Sequence, residues 1–201
     1  MVDLFFDDEK HQYYYKGEKV PCASDILKIV DVIAMDGIPA RNIEIAAQRG
    51  TRIHEATDDW DYDLLEIDEE WEQENSDIIE YVNAYIDFTF DYPEPPMASE
   101  ISLFSEKTGV AGTIDLVKKI DGKLSIIDKK TTSKVGKLRN LIQLNLYRIN
   151  WNETHEQKVD NLYILHLTNK GEYKLIPFEV DEEIVFKFIN LYKAIKEDKR
   201  V

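Results

Sequence analysis

A chain of 201 residues, 43% hydrophobic and 32% charged, is long enough to bury the core of one domain and is not the composition of a disordered polymer. No apolar run approaches the roughly 20 residues of a membrane helix, and the start, Met1 to Asp8, lacks the basic region and long apolar stretch of a secretion signal. Cys22 is the single cysteine, which excludes an internal disulfide and an iron–sulfur cluster on four thiolates, and suits a reducing cytoplasm.

The net charge of −15 argues against a nucleic-acid binder if read as an average, because phosphate contacts call for a basic surface. The charge is segregated, however. Asp58 to Glu80 carries twelve acids and no Lys or Arg, whereas Lys118 to Arg139 carries eight basic residues against Asp121 and Asp128. The basic segment is expected either to meet nucleic acid or to form a solvated face. The acid run allows a separate reading, a surface that imitates DNA and binds a DNA-binding partner.

In chain order, Gln12–Tyr15 and Lys19–Val20 around Lys16-Gly17-Glu18 read as a small hairpin. Ser24 is placed to cap a short helix through about Val30. Pro39 is expected to open a long helix toward Ile67, with Ile43, Ala46, Ala47, Gly50, Ile53, Ala56 and Thr57 as its buried stripe. A further helix fits Ser76 to Phe90, facing inward through Ile78, Ile79, Val82, Ile86 and Phe90, and the prolines after Tyr92 end it.

Strands follow at 98–105, 110–120 and 123–130, with Gly109 and Asp121-Gly122 as turns. A helix over 138–151, strands over 162–168 and 173–180, and a last helix over 181–196 burying Ile184, Val185, Phe188, Leu191 and Ile195 complete the reading. This order predicts an α/β fold, one mixed sheet with helices on both faces. It is expected as a single domain over 1–201: hairpin and helices at 1–96, a sheet core at 97–180, and a terminal helix at 181–201.

The chemistry sits where the strands meet. Along 123–130 side chains alternate, so Asp128 and Lys130 project to one side with Ile126, and Ile127 and Lys129 to the other. A hairpin centred on Asp121-Gly122 sets Asp115 opposite Asp128, with Cβ atoms ~4.5–5.5 Å apart. Two carboxylates that close repel unless a cation lies between them, and oxygen ligands with room for water suit Mg²⁺ or Mn²⁺. Two acids and a lysine at one point are what a metal-dependent phosphodiesterase needs. The competing reading is a rim carboxylate bonded to Lys118 or Lys119, but the flanks Thr113-Ile114 and Ile126-Ile127 look like buried sheet, where an acid needs a partner.

Other candidates have ordinary alternatives. His54 on the long helix is either a ligand or a hydrogen-bonded core histidine. Gln143 and Tyr147 share a helix face and either contact the phosphate or the attacking water, or serve as cap and core filler. Glu100 is a candidate for the metal's outer shell or a surface acid.

Arg49-Gly50-Thr51-Arg52-Ile53-His54, Glu100, Gly112-Thr113-Ile114-Asp115, Ile127-Asp128-Lys129-Lys130-Thr131 and Gln143-Leu144-Asn145-Leu146-Tyr147 together resemble the PD-(D/E)XK nuclease superfamily, in its RecB-type exonuclease branch, which includes phage-borne members. Asp-x-Lys alone is nearly ubiquitous; five blocks in order are specific. The lead-in Val20 to Leu27 is also similar.

The resemblance implies a restriction-endonuclease-like sheet flanked by helices. It assigns metal binding to His54, Asp115, Asp128 and the carbonyl of Lys129. Lys130 would orient the attacking water and stabilise developing charge, and Gln143 and Tyr147 would steady the substrate or the lysine. The function implied is a metal-dependent DNA exonuclease of phage or bacterial recombination and repair, acting on linear or single-stranded ends. It would work alone, as a homo-oligomer or with a recombination partner protein. The alternatives are an endonuclease of the same fold, or a non-catalytic binding module.

Overall fold

Asp121 and Gly122 both sit at positive φ, 50° and 75°, the conformation that a two-residue hairpin turn of matching twist requires. They join the central strands of a five-stranded sheet. The computed structural model describes residues 3–7, 9–34, 40–132 and 135–198, with side chains throughout except at 32–34, 40, 42 and 43.

Three strands come first: β1 (Leu4–Asp7), β2 (Gln12–Tyr15) and β3 (Glu18–Val20). They form their own antiparallel sheet, so the expected hairpin gains a third strand. Helix α1 (Ala23–Ala34) is longer than expected and starts one residue earlier. Its opening is held by Asp25, whose Oδ2 accepts the Cys22 N–H at 3.2 Å, an acid reaching back as in a capping box. Ser24 lies inside the helix, its Oγ 3.0 Å from Cys22 Sγ.

Helix α2 (Ala40–Asp61) stops well short of Ile67, where Asp63 at φ 57° turns the chain. Pro39 and the side chain of Ile43 lie outside the described residues. Ile53, Ala56 and Thr57 are buried as expected, whereas Ala47 is exposed. A short helix that the sequence reading missed, α3 (Glu69–Glu74), is capped by Asp68.

Helix α4 (Ile79–Asp91) buries Tyr81, Val82, Ala84, Tyr85 and Phe88; Phe90, expected inside, is 71% exposed. Tyr85 and Phe88, three residues apart, bury on the face that meets the sheet, whereas Phe90 falls outside that face. Tyr85 does so because its hydroxyl finds Asp61 at 2.5 Å.

The central sheet runs β4 (Ala98–Ser105), β5 (Val110–Ile120), β6 (Lys123–Lys130), β7 (Asn161–Leu167), β8 (Tyr173–Phe178) in that spatial order. Every pairing is antiparallel except β6 with β7, which helix α5 (Lys137–Thr154) connects. Parallel neighbours need such a crossover. Helix α6 (Glu182–Asp198) buries Val185 and Ile189, while Leu191 and Ile195, expected inside, are 45% and 38% exposed.

Side-chain alternation splits the core. Val117, Ile126, Leu162 and Ile164 pack with residues of α1, α5 and α6, and Leu116, Ile127 and Leu165 pack with α2 and α4. The mixed sheet between helical layers is the architecture expected from the sequence. Of the basic segment, Lys118 and Lys129 are buried, at 3% and 1% exposure, so the segment is not a continuous basic surface.

Candidate active site

The β5–β6 ladder pairs Leu116 with Ile127. That is the last pair of the ladder; Asp115 and Asp128, the next residues out, are both buried, at 8% and 1% exposure. The Lys129 N–H donates to Asp115 Oδ2 at 2.7 Å, a partner neither Lys118 nor Lys119 provides. Glu100 comes from β4, between the Ser99–Leu116 and Ile101–Ile114 pairs. Its φ of 46° is a left-handed backbone held inside a strand, a conformation that surrounding structure must impose on a non-glycine residue.

Helix α2 brings the third group. Ile53 and Ala56 bury against the sheet, and this packing sets His54 at the strand ends. His54 Nδ1 lies 3.2 Å from Glu100 Oε1 and 3.7 Å from Asp115 Oδ2. The ligand atoms of His54, Glu100 and Asp115 all fall within 4.8 Å of one another. Glu100, expected in an outer shell, thus joins the cluster itself.

Asp128 stands outside that triad. Its nearest cation is Lys130 Nζ, 2.6 Å from Oδ2, and Oδ1 has no hydrogen-bond partner among the described residues. The two carboxylates have different partners, as like charges should. Asp128 and Lys130 share one side of β6, as alternation requires.

Lys129 takes the other side. Its Nζ is enclosed, 2.9 Å from Thr57 Oγ1 and 3.3 Å from Glu100 Oε1, with the Tyr85 ring 5.5 Å away. Only the carbonyl of Lys129 was a candidate from the sequence. A lysine sharing a strand face with Ile127 was the available sign that its ammonium would need internal partners.

On α5, Gln143 Nε2 donates to Tyr147 Oη at 3.1 Å and Gln143 Oε1 accepts from Arg139 at 3.1 Å. Both residues are buried. A Cβ at position 112 would lie 2.7 Å from Tyr147 Cε1, so Gly112 is the residue that lets Tyr147 reach the β5 backbone. A cleft of about 580 Å³ opens here, lined by His54, Glu100, Gly112, Thr113 and Tyr147 together with Phe6, His11 and Tyr13 of the small sheet. Sequence reasoning did not bring that sheet to the site.

The electrostatics follow from burial and neighbours. Burial alone would lower the His54 pKa, but Asp115 and the Glu100 hydrogen bond outweigh it and hold the ring above its ordinary value. Burial raises the Asp128 carboxyl, and Lys130 offsets only part of this. Burial also pushes Glu100 upward, but His54 and Lys129 bring it below the usual carboxylate range.

A His nitrogen, two carboxylates and a further buried carboxylate with one unpartnered oxygen, Asp128 Oδ1, form a donor set that fits a divalent cation with oxygen and nitrogen ligands. A model of the PD-(D/E)XK nuclease superfamily matches residues 34–196. The chain belongs to the PD-(D/E)XK nuclease superfamily. Asp128-Lys129-Lys130 has the Asp-x-Lys spacing in the superfamily's name, and the superfamily makes a hydrolytic nuclease acting on DNA the frame for this site.

No curated protein matches the chain significantly in sequence. Among solved structures it is similar to LHK-Exo in complex with dAMP, at 14% identity over 90% of this chain and 89% of that one, with a TM-score of 0.47. It is also similar to a protein named "Putative exonuclease" from Eubacterium rectale, at 12% identity over 74% of this chain and 64% of that one, TM-score 0.45. No helix among the described residues is long and apolar enough to cross a membrane.

Proposed function

We propose that this superfamily member is a Mg²⁺- or Mn²⁺-dependent DNA exonuclease of the RecB-type branch, acting in the cytoplasm on phage or bacterial DNA during recombination or repair. The observation that carries the nuclease part is the meeting of His54, Glu100 and Asp115 within 4.8 Å, beside Asp128 and its ion pair to Lys130. The exonuclease part is supported by the order of the five motif blocks. In this reading residues 1–201 act as one nuclease domain.

His54, Glu100 and Asp115 would hold the cation, with Asp128 and the Lys129 carbonyl available to complete the set. The cation, when bound, would supply Lewis-acid charge that makes water more acidic and screens the phosphate. Lys130 keeps an ammonium at the end of β6, 20% exposed and paired to Asp128. From there it orients the attacking water and stabilises the negative charge that builds on the phosphorus oxygens. Gln143 fixes the Tyr147 hydroxyl, and Tyr147 steadies the strand in the cleft.

The test is digestion of end-labelled linear DNA and closed circular DNA with Mg²⁺ or Mn²⁺. Loss of linear DNA only, abolished in Asp128→Ala and Lys130→Ala, is the expected result. Cutting of the circle would convert the assignment to an endonuclease. No cutting of either by folded protein would overturn the enzyme reading in favour of a binding module or a DNA mimic.

A further inference from the structure

Arg139 closes the basic segment of the sequence, yet its guanidinium is tied inward at two points. Nε donates to Asp31 Oδ1 at 2.9 Å, and Nη1 donates to Gln143 Oε1 at 3.1 Å. Asp31 belongs to α1, which meets α5 through Leu27, Val30 and Ile142. Acceptors on two packed helices therefore fix a side chain that keeps only 34% exposure. Arg139, Gln143 and Tyr147 recur at four-residue steps along α5 and share one face.

A glutamine amide has two unlike ends, an oxygen that accepts and an NH2 that donates, whereas a guanidinium has donors only. Beside Arg139 the amide has one satisfactory orientation: Oε1 toward Nη1, and Nε2 toward Tyr147 Oη at 3.1 Å. The Tyr147 oxygen is thereby the acceptor of that bond. Its own proton, which a phenol keeps at neutral pH, is left for a second partner. Tyr147 lines the cleft beside His54 and Glu100, so that partner is a group bound there. Without Arg139 the amide is free to turn over and present Oε1 to Tyr147. The hydroxyl would then donate to Gln143 and be lost to the cleft.

Resting on the nuclease reading above, we propose that Arg139 is a positioning residue for cleavage: anchored by Asp31, it fixes the Gln143 amide so that the Tyr147 hydroxyl donates to a phosphate oxygen of the bound strand. Arg139 acts through two other side chains and does not itself hold the DNA.

The experiment is a double-mutant cycle on DNA cleavage with Mn²⁺, using Arg139→Met, Tyr147→Phe and the two together. Each single variant is expected to lower kcat roughly tenfold, the worth of one hydrogen bond, with KM within a few-fold of wild type. The double variant is expected to lose no more than Tyr147→Phe alone, because both changes remove the same donation. Independent structural losses would instead multiply to roughly a hundredfold. Gln143→Glu supplies a second variant. Its carboxylate keeps the contact with Arg139 but cannot donate to Tyr147, so kcat is expected to fall as in Tyr147→Phe while circular dichroism stays native.

A readout independent of cleavage comes from hydrogen exchange of the Gln143 side-chain amide in metal-free protein, followed by NMR after glutamine labelling. Exchange is expected to be at least tenfold faster in Arg139→Met than in wild type. Multiplying losses, a wild-type kcat in Gln143→Glu, or unchanged amide exchange would overturn the inference and leave the nuclease assignment standing. So would a raised KM with unchanged kcat and a weaker salt dependence in Arg139→Met, the signature of a direct phosphate contact. Folded wild type that cleaves no DNA would overturn the nuclease reading itself, and the role in cleavage with it.

Discussion

Lys129 and Lys130 are neighbours on β6, yet the pleat sends them into different chemistry. Lys129 points to the α2–α4 side, where its side chain is fully enclosed and meets Thr57 and Glu100. Lys130 points to the α1–α5 side, remains 20% exposed, and pairs with Asp128. An enclosed ammonium with fixed partners behaves as part of the frame; an ammonium at the rim, paired to one buried carboxylate, is placed to meet a substrate. Residue type and position in the motif are nearly the same, so the difference comes from which face of the sheet each occupies.

The sharpest way to break this comparison is to remove each lysine in turn. Lys130→Ala is expected to lower DNA cleavage by about 10²–10³-fold, the usual cost of losing one charge-stabilising donor, while circular dichroism stays native. Activity within a few-fold of wild type would show that Lys130 takes no part in the chemistry.

Lys129→Met should act chiefly on the frame. Removing one member of a buried ion pair typically costs about 3–5 kcal/mol. Here the loss is expected at about 2–4 kcal/mol by urea denaturation, discounted because the Glu100 side chain keeps 32% exposure. Unchanged stability would mean that the ammonium is not the internal strut it looks to be.

Much of this was legible beforehand, and the reasons are physical. Strands β4 to β6 announce themselves by β-branched runs and by the Asp121-Gly122 turn, and that turn sets the β5–β6 register as far as Leu116–Ile127, next to Asp115 and Asp128. The Lys129–Lys130 split followed from alternation alone. What local pattern could not supply was tertiary: the approach of α2 that sets His54 against Glu100, the left-handed backbone at Glu100, and the small sheet folded against the cleft. On α4, the reading chose Ile86 and Phe90 over Tyr85 because it could not see that Asp61 would satisfy the buried tyrosine hydroxyl.

Asp128 sharpens the comparison from the acid side. Its folded pKa is raised by burial, so the ionised carboxylate disfavours the folded state, and stability grows as pH falls through the folded value toward the unfolded one. Asp128→Asn should therefore raise Tm by about 2–4 °C, the effect of ~1 kcal/mol in a chain of this length, while abolishing cleavage. A lower Tm would show that the pair with Lys130 stabilises the fold.

The smallest effect is a pH dependence. His54 is held above its ordinary value of 6.5, so the stability gained from its protonated contacts is present below 6.5 and is lost as pH rises through the folded value. Unfolding of metal-free protein across pH 6 to 9 should show this fall, and His54→Ala should flatten it. The same slope in the variant would assign the effect to another group.

The most direct test of the whole account is calorimetric titration of Mn²⁺ into wild type and Asp115→Asn. Saturable binding of about one equivalent or more by wild type, weakened at least tenfold by the substitution, is the result the account predicts. Equal binding by both proteins, or none by folded wild type, would contradict a metal centre at this site.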